Sequence, residues 1–354
     1  EPFNEAGWTR LVEKHAGRLP LEIRAAPEGL VVPVHNALMS IVNTDPEFFW
    51  LTSYVETALL RVWYPTTVAT ISWHVRQMIA EALEKTADDP AAELPFKLHD
   101  FGARGVSSPE SAARGGLAHL VNFKGTDTLA AIVAARDLYH TPMAGFSIPA
   151  AEHATITSWG RDGEYDAYEN MVTQFGKPGK TFAVVSDSYD IYAAVDYLWG
   201  ERLRQRVIDS GATLVLRPDS GDPVEIVAQT LALLAERFGY DLNGKGYKLL
   251  RHVRVLQGDG VNPASIAAIL ARVIADGFSV VNVGFGMGGA LLQRLDRDTQ
   301  EFACKASAVA IEGVWRDIHK DPISDHSKRS KPGLLGLVAN PAYETVRVDA
   351  QTFQ

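Results

Sequence analysis

The stretch Thr213-Leu-Val-Leu-Arg-Pro-Asp-Ser-Gly-Asp-Pro223 decides the fold. Its first four residues form a short, mostly apolar run with two β-branched residues, which is typical of a strand buried on both faces of a parallel sheet. Polar residues follow at once, and Asp222-Pro223 then opens a run with apolar residues at three- and four-residue spacing. An aspartate cap with proline in the first turn is typical of a helix start. The stretch therefore predicts a strand, a polar loop and a helix.

The same order recurs on both sides of this stretch. With the strand at 213–216, apolar runs predict strands at residues 118–123, 182–186, 253–256 and 278–283. The amphipathic patterns between and after them predict helices at residues 126–139, 189–208, 223–238 and 263–275. Strand–helix alternation in a chain of 354 residues indicates a (β/α) barrel or an open doubly wound sheet.

The two ends of the chain differ from this middle part. Residues 21–24, 29–33 and 36–42 predict short strands, residues 48–62 and 67–86 predict helices, and the part after Asp298 again has strands and turns. We therefore expect an α/β barrel flanked by a smaller β-rich domain built from both chain ends. The predicted boundaries are 1–93 for the flanking domain, 94–297 for the barrel and 298–354 for the return to the flanking domain.

Composition excludes several classes of function. The chain has 34 Lys and Arg against 43 Asp and Glu, a net charge of −9, so general binding to a nucleic-acid backbone is not expected. Its apolar runs are shorter than the ~20 residues that a membrane span needs, so no membrane partner is expected either. The single cysteine, Cys304, excludes an intrachain disulfide and a zinc site with several cysteine ligands. A cytoplasmic location is the expectation.

Chemistry-bearing side chains follow each predicted strand. Active sites of barrels form at the carboxyl ends of the strands, so these loops are expected to meet on one rim. Glycines and Arg217 there suit a phosphate, and Asp219 and Asp259 suit sugar hydroxyls or a divalent metal. The residues alone thus predict a barrel enzyme that acts on a magnesium-bound phosphorylated sugar. The loops are Val121-Asn-Phe-Lys-Gly-Thr-Asp127, Val185-Ser-Asp187, Leu216-Arg-Pro-Asp-Ser-Gly221, Leu256-Gln-Gly-Asp-Gly260 and Val283-Gly-Phe-Gly-Met-Gly-Gly289.

Simpler interpretations of single residues stay open at this point. Asp187, Asp219 and Asp259 could each cap a helix, and a glycine-rich turn between strand and helix is often only a tight connection. Lys124 at a predicted strand end could form a Schiff base, as in an aldolase-like barrel.

Six ordered motifs together carry a resemblance that runs from about Phe3 to Lys331. The chain closely resembles the nicotinamide phosphoribosyltransferases, within the type II phosphoribosyltransferase family. The motifs are Leu98-His-Asp-Phe-Gly-Ala-Arg-Gly-Val-Ser-Ser108, Phe123-Lys-Gly-Thr-Asp127, Ile148-Pro-Ala-Ala-Glu-His153, Val185-Ser-Asp-Ser-Tyr-Asp-Ile-Tyr192, Arg217-Pro-Asp-Ser-Gly221 and Gln257-Gly-Asp-Gly260.

The resemblance implies a fold, a reaction and an assembly. The implied fold is an irregular α/β barrel with a β-sandwich-like domain, and the implied assembly is a homodimer with active sites at the subunit interface. The implied reaction, in NAD biosynthesis, joins nicotinamide to phosphoribosyl pyrophosphate and gives nicotinamide mononucleotide and pyrophosphate. It implies Mg²⁺ as cofactor and stimulation by ATP hydrolysis through a phosphohistidine.

The resemblance also assigns roles to residues of this chain. Phe101 matches the aromatic that stacks on the pyridine ring, with Arg217 beside the ring and Asp127 accepting from the carboxamide. His153 matches the phosphorylated histidine and Asp187 the carboxylate that orients it. Asp219, also assigned a catalytic role, and Asp259 match residues near the ribose and the metal. The implied contacts to ribose, phosphate and pyrophosphate are Arg104, Arg217, Gly258, Asp259, Gly288, Gly289, Arg297 and Lys305.

Members of this family carry a further segment ahead of the point that matches Phe3, with a tyrosine that stacks on the second face of the ring. We therefore expect the chain to lack that segment. Two other functions remain open besides the Schiff-base chemistry of Lys124. One is a nicotinate phosphoribosyltransferase, against which the carboxylate of Asp127 argues because it repels the carboxylate of nicotinate. The other is a truncated homologue that binds nucleotide without turnover.

Overall fold

The computed structural model describes residues 3–339 and 341–350, and the chain divides into two compact units. Tyr64–Thr299 form the larger unit, and Glu1–Trp63 with Gln300–Gln354 form the smaller one. Nearly all of the helix Trp63–Thr86, which the predicted first domain includes, belongs to the larger unit. The predicted outer segments also include residues 1–2, 340 and 351–354, which lie outside the described residues.

A six-stranded parallel sheet forms the centre of the larger unit. The strands are β1 (Leu98–Asp100), β2 (Gly125–Thr126), β3 (Thr181–Val185), β4 (Thr213–Arg217), β5 (Val253–Gln257) and β6 (Val283–Met287). Their order across the sheet is β2-β1-β6-β5-β4-β3, so strands that follow one another in the chain also pair, and only β1 with β6 is a pair of distant strands. Parallel pairing of consecutive strands requires crossover connections, and helices supply them.

One extended segment, residues 146–150, joins the two edges of this sheet. Phe146 forms a parallel bridge to Gly125 of β2, and Ala150 forms one to Ala183 of β3. The main-chain N–H of Thr126 donates to the Phe146 carbonyl (3.0 Å), and that of Ala183 donates to the Pro149 carbonyl (2.9 Å). The sheet therefore closes on itself, and the prediction of an irregular α/β barrel is confirmed.

Helices surround the barrel, and their caps follow the sequence closely. The helices Pro223–Phe238 and Pro263–Ala275 begin where predicted, since Asp222 accepts from Val224 N and Glu225 N, and Asn262 from Ala264 N and Ser265 N. The predicted helix 189–208 is broken into Ile191–Ala193, a π-helix at Ala194–Arg202 and Arg204–Ser210. The remaining helices of this unit with at least four residues are Trp63–Thr86, Pro90–Glu93, Pro109–His119, Leu129–Tyr139, His153–Thr157, Glu164–Phe175, Gly289–Leu292 and the 3-10 helix Arg297–Gln300.

Two strand predictions in this unit were wrong. Residues 118–123 are the end of the helix Pro109–His119 and a turn, and the strand β2 starts only at Gly125. In the run 278–283, Val280–Asn282 form a 3-10 helix, and the strand β6 starts only at Val283. Both observed strands contain a glycine, Gly125 in β2 and Gly284 in β6. Because a glycine inside a run usually indicates a turn or a bulge, the sequence pattern did not show where these strands begin.

The core lies between sheet and helices. Phe182, Leu214, Val255 and Phe285 on the strands are fully buried, as are Trp199 and Tyr168, whose rings stack at 4.6 Å between centroids. These side chains fix the strands from outside, so that the loops after the strands have a rigid base.

The smaller unit contains three two-stranded antiparallel sheets among its described residues. Asn36 links the two chain ends within it, since its side chain donates to the Tyr343 carbonyl (3.2 Å) and accepts from Thr345 N (2.6 Å). The prediction of a strand at 29–33 was wrong, and helix 48–62 is broken into short pieces. The paired strands are Leu21–Ala25 with Met39–Asn43, Ala308–Ile311 with Val314–Asp317, and Leu335–Ala339 with Tyr343–Arg347; the helices are Glu5–His15, Leu51–Tyr54 and Glu56–Leu59.

Across residues 3–339 and 341–350, no helix has the length and apolar character that a membrane crossing requires.

Candidate active site

The carboxyl ends of the barrel strands bring most of the predicted side chains to one rim. Because all six strands are parallel, the residues that follow them lie at the same end of the barrel. These residues are Phe101 after β1, Asp127 after β2, Asp187 after β3, Arg217 and Asp219 at the end of β4, Gly258 and Asp259 after β5, and Gly288 and Gly289 after β6.

Arg217 and Asp219 form the centre of this group. Arg217 Nη2 donates to Asp219 Oδ2 (3.2 Å), and both side chains are less than one-fifth exposed. The guanidinium lies 5.9 Å from the centre of the Phe101 ring, and Arg217 Nε is buried without a hydrogen-bond partner. A Cβ on Gly258 would lie 3.0 Å from Asp219 Oδ1 and 3.5 Å from the Phe101 ring. This point of the rim therefore combines a planar cation, a carboxylate, an aromatic ring and a main chain without a side chain at Gly258.

The ring of Phe101 lies directly against the main chain of β6. A Cβ on Gly286 would lie 2.0 Å from Phe101 Cε2, so only glycine admits the ring at this position. Phe101 packs with Ile148 on the small buried cluster of Ala183, Val215 and Leu256. The aromatic side chain thus has an apolar base. Gly286 lies in the glycine-rich loop that we predicted to bind phosphate, but it instead makes room for Phe101.

His153 lies between two carboxylates. Its Nε2 is 3.1 Å from Asp187 Oδ1, and its Nδ1 is 3.9 Å from Asp219 Oδ2. The imidazole is 45% exposed, whereas the Asp187 side chain is only 4% exposed. The buried carboxylate can hold one ring nitrogen while the other side of the ring remains accessible to a ligand.

Asp127 follows β2 on the same rim and is held by its neighbours. Its main-chain N–H donates to the Asp100 carbonyl (3.0 Å), and Ser147 Oγ donates to its Oδ1 (2.5 Å). Asp100 is fully buried, accepts from Gly102 N (2.7 Å), and burial raises the pKa of its carboxyl. Burial lowers the pKa of His99, while the charge of Asp127 acts against this shift. Asp100 thus holds two main-chain N–H groups, that of Gly102 through its carboxylate and that of Asp127 through its carbonyl.

The other predicted phosphate contacts are more dispersed. Gly288 and Gly289 open the short helix Gly289–Leu292, and Arg104 is exposed in the 3-10 helix Ala103–Gly105. Arg297 pairs with Asp298 at the end of the larger unit, and Lys305 is exposed in the smaller unit. No group of three or more His, Cys, Asp or Glu side chains within the described parts of the chain has the geometry of a metal site.

The structure shows which side chains cap the helices that follow the strands, and so tests whether Asp187 and Asp219 are helix caps. The side chains that cap helices after β3, β4 and β5 are Asp190, Asp222 and Asn262. Asp187 and Asp219 instead make contacts within the rim.

Lys124 lies at the amino end of β2, because the strand that we expected before it is a helix end and a turn. The lysine is therefore not at the strand end that faces the rim, and the Schiff-base alternative loses the position on which it depended.

Three contributors to the rim were not singled out from the sequence. Ser147 and Ser220 donate to Asp127 and Asp187, and Ile148 supports Phe101. Serines next to quoted motifs are too common to signal such contacts, although all three lie beside or within the motifs that we quoted.

Comparison with known proteins agrees with this geometry. The family model for the nicotinate phosphoribosyltransferase (NAPRTase) family matches residues 96–351. A nicotinamide phosphoribosyltransferase from Xanthomonas campestris pv. campestris is 64% identical over 342 residues, which cover 97% of this chain and 73% of that protein. A nicotinamide phosphoribosyltransferase from Acinetobacter baylyi is 33% identical over 342 residues, covering 90% of this chain and 67% of that protein.

Among solved structures, nicotinate-nucleotide pyrophosphorylase from Pyrococcus furiosus matches with a TM-score of 0.57 at 18% identity, covering 93% of this chain and 69% of that chain. At that identity the similarity shows the fold. The family match spans most of the chain, and the X. campestris relative shares nearly two thirds of the aligned residues. The chain therefore belongs to the nicotinate phosphoribosyltransferase family.

Proposed function

We propose that the protein joins nicotinamide to phosphoribosyl pyrophosphate, giving nicotinamide mononucleotide and pyrophosphate in NAD biosynthesis. The observation that carries this proposal is the meeting of Arg217, Asp219, Phe101 and Gly258 on the barrel rim. The relatives from X. campestris and A. baylyi, both named nicotinamide phosphoribosyltransferase, support the choice of substrate.

The base would bind on the apolar side of the rim. The ring of Phe101 offers one face for stacking with a pyridine ring. Ser147 donates to Asp127 Oδ1, which leaves Oδ2 to accept from the NH₂ of a carboxamide. Nicotinate has a carboxylate in that place, and two like charges in contact oppose binding. The proposal therefore favours nicotinamide over nicotinate.

The phosphoribosyl group would bind on the polar side. In the reaction, the C1–oxygen bond to pyrophosphate breaks, and the lone pair of the pyridine nitrogen forms the new bond to C1. Asp219 and Asp259 would face the ribose as positive charge develops on it, and Gly258, Gly288 and Gly289 allow backbone N–H groups to approach phosphate. We propose that Arg217, Arg104 and Arg297 balance the negative charge of the departing pyrophosphate.

Mg²⁺ is the cofactor that we propose with this substrate. Asp219 and Asp259 supply hard oxygen donors. Residues 3–339 and 341–350 form no fuller ligand set, and two carboxylates suit an ion that keeps water and substrate phosphates as its other ligands. When bound, the ion would neutralise charge on the pyrophosphate. The residues present fit such an ion.

We further propose that ATP phosphorylates His153. A proton on Nε2 would be held by Asp187, so the lone pair of Nδ1 is free to attack the γ-phosphorus while ADP leaves. The 3.9 Å between Nδ1 and Asp219 Oδ2 brings this nitrogen to the carboxylate that also binds Arg217. This arrangement would let the ATP reaction act on the phosphoribosyl site.

A homodimer is the assembly that we propose. The helix Leu129–Tyr139 carries exposed apolar side chains, with Leu129 79% and Leu138 66% exposed in the single chain. The helix directly follows the loop that bears Asp127, so a second copy covering it would lie next to the base site.

The test is a mass-spectrometric assay of purified protein with Mg²⁺, ATP and phosphoribosyl pyrophosphate, offered nicotinamide and nicotinate in parallel. Nicotinamide mononucleotide should form in preference to nicotinate mononucleotide, and the product should disappear with Asp219→Ala. Turnover of nicotinate alone would replace the proposal by the nicotinate reaction. Binding of both substrates without either product would favour a non-catalytic nucleotide-binding protein.

A further inference from the structure

The carboxylate of Asp187 is held from two sides. Its Oδ1 faces His153 Nε2 at 3.1 Å. Its Oδ2 accepts two hydrogen bonds, one from the main-chain N–H of Asp219 (3.0 Å) and one from Ser220 Oγ (2.5 Å). Both donors belong to the loop after β4, whereas Asp187 follows β3. The loop that carries Asp219 therefore also sets the orientation of the carboxylate that holds the imidazole.

We propose that Ser220 is a positioning residue that couples the phosphorylation of His153 to the phosphoribosyl site. This inference rests on the proposed function and deepens it. Without the hydroxyl, Oδ2 keeps a single donor, and the carboxylate can turn away from His153. The Asp187 side chain is 4% exposed, so water has little access to replace the lost hydrogen bond.

Ser220 suits an experiment because its own side chain is exposed, and its removal leaves no cavity in the core. Ser188 provides a matched control. It follows Asp187 directly, and its hydroxyl is buried without a hydrogen-bond partner, so Ser188→Ala removes the same atom near the same carboxylate without removing a hydrogen bond.

The experiment measures two reactions of the full chain separately. The first is incorporation of label from γ-labelled ATP into His153 with Mg²⁺ alone. Ser220→Ala should slow it by about tenfold or more, the effect of losing one hydrogen bond to a charged group. Ser220→Thr, which keeps the hydroxyl, should restore it, and Ser188→Ala should label as the unchanged protein does. The second is the ratio of mononucleotide synthesis with ATP to synthesis without ATP, which should fall towards one in Ser220→Ala.

Equal labelling of Ser220→Ala and the unchanged protein would overturn the inference. A rise in the KM for ATP with an unaltered maximal labelling rate would also overturn it, because Ser220 would then bind ATP and not orient Asp187. Absence of mononucleotide synthesis by the unchanged protein would contradict the proposed function, while the labelling comparison would still decide the role of Ser220.

Discussion

Asp127 is the residue on which the choice of base should depend. In Asp127→Asn the acceptor loses its charge and its side chain presents an NH₂ group, so a charge-assisted hydrogen bond to nicotinamide is lost. We expect kcat/KM for nicotinamide to fall by about ten- to a hundredfold, from a loss of roughly 1.5–3 kcal/mol. Activity on nicotinate should fall less or rise, and parallel kinetics with the two bases measure the ratio.

Asp241→Asn is the matched control for this prediction. Asp241 is an exposed carboxylate that pairs with Arg251 ahead of the amino end of β5, so its loss should leave the ratio unaltered. An unaltered ratio in Asp127→Asn would remove Asp127 from base recognition.

His119 is a buried histidine that should make stability depend on pH. It is fully buried against Phe123, its Nδ1 is 2.9 Å from Ser72 Oγ, and its Nε2 is 3.2 Å from the Gly125 carbonyl. Because a carbonyl only accepts, Nε2 carries a proton, and in the neutral ring Nδ1 accepts from the Ser72 hydroxyl. Burial lowers the pKa of His119 from 6.5 to about 4.

Below pH 6.5 His119 therefore binds a proton in the unfolded chain, whereas in the folded chain it stays neutral down to about pH 4. Stability is full above pH 6.5 and is lost as the pH falls through this window. We expect a loss of about 2 kcal/mol between pH 7.5 and pH 5 from this group. Urea unfolding of the protein and of His119→Gln at both pH values measures it, since the variant should lose this part of the dependence. An identical dependence in the variant would contradict the assignment.

At the scale of elements, the two glycines of strand β6, Gly284 and Gly286, should differ in how well they tolerate alanine. A Cβ on Gly286 would lie 2.0 Å from the Phe101 ring, whereas a Cβ on Gly284 would meet only Leu256 at 3.9 Å. Gly286→Ala should therefore displace the ring, raise the KM for the base about tenfold or more, and lower the melting temperature. Gly284→Ala, in the same strand, should leave both values close to those of the unchanged protein.

Steady-state kinetics and thermal unfolding of the two alanine variants provide the comparison. Similar behaviour of both would show that β6 has room beside Phe101, and that the ring does not depend on Gly286.

Elements with explicit chemical signals were predictable from the sequence. The caps Asp222 and Asn262 with their prolines define two helices to the residue. Strands β3 and β4 have apolar runs of at least three residues, β5 has apolar residues on both sides of Arg254, and all three were also found. Strands β1, β2 and β6 were not, because His99, Gly125 and Gly284 interrupt their apolar pattern and the pairing with neighbouring strands decides their state.

The site was predictable as a set of loops but not as a set of contacts. The resemblance assigned His153 to Asp187, and the structure places them 3.1 Å apart. The donation of Ser220 to the same carboxylate depends on how β3 and β4 align, which local sequence does not contain. The same holds for Gly286, whose importance comes from the ring of Phe101, which follows a different strand, β1.

At the scale of the whole molecule, we expect a dimer that depends on the helix Leu129–Tyr139. Light scattering should give twice the chain mass of 38.6 kDa. Leu129→Glu together with Val133→Glu places charge on the exposed apolar face and should shift the mass to that of one chain, with loss of synthesis. The pair Arg114→Glu and Glu110→Arg, which keeps an exposed ion pair, is the control. A dimer that survives the glutamates would place the interface elsewhere.

The segment 146–150 has a consequence for how the protein withstands damage. Because it bonds to both β2 and β3, the segment covers part of the two edge strands on which another chain could otherwise add a strand. A protease cut in the exposed stretch 140–143, between the helix Leu129–Tyr139 and this segment, would loosen the segment and open both edges together. We expect a nicked preparation to aggregate through these edges, so the segment that completes the barrel also keeps it from joining other chains.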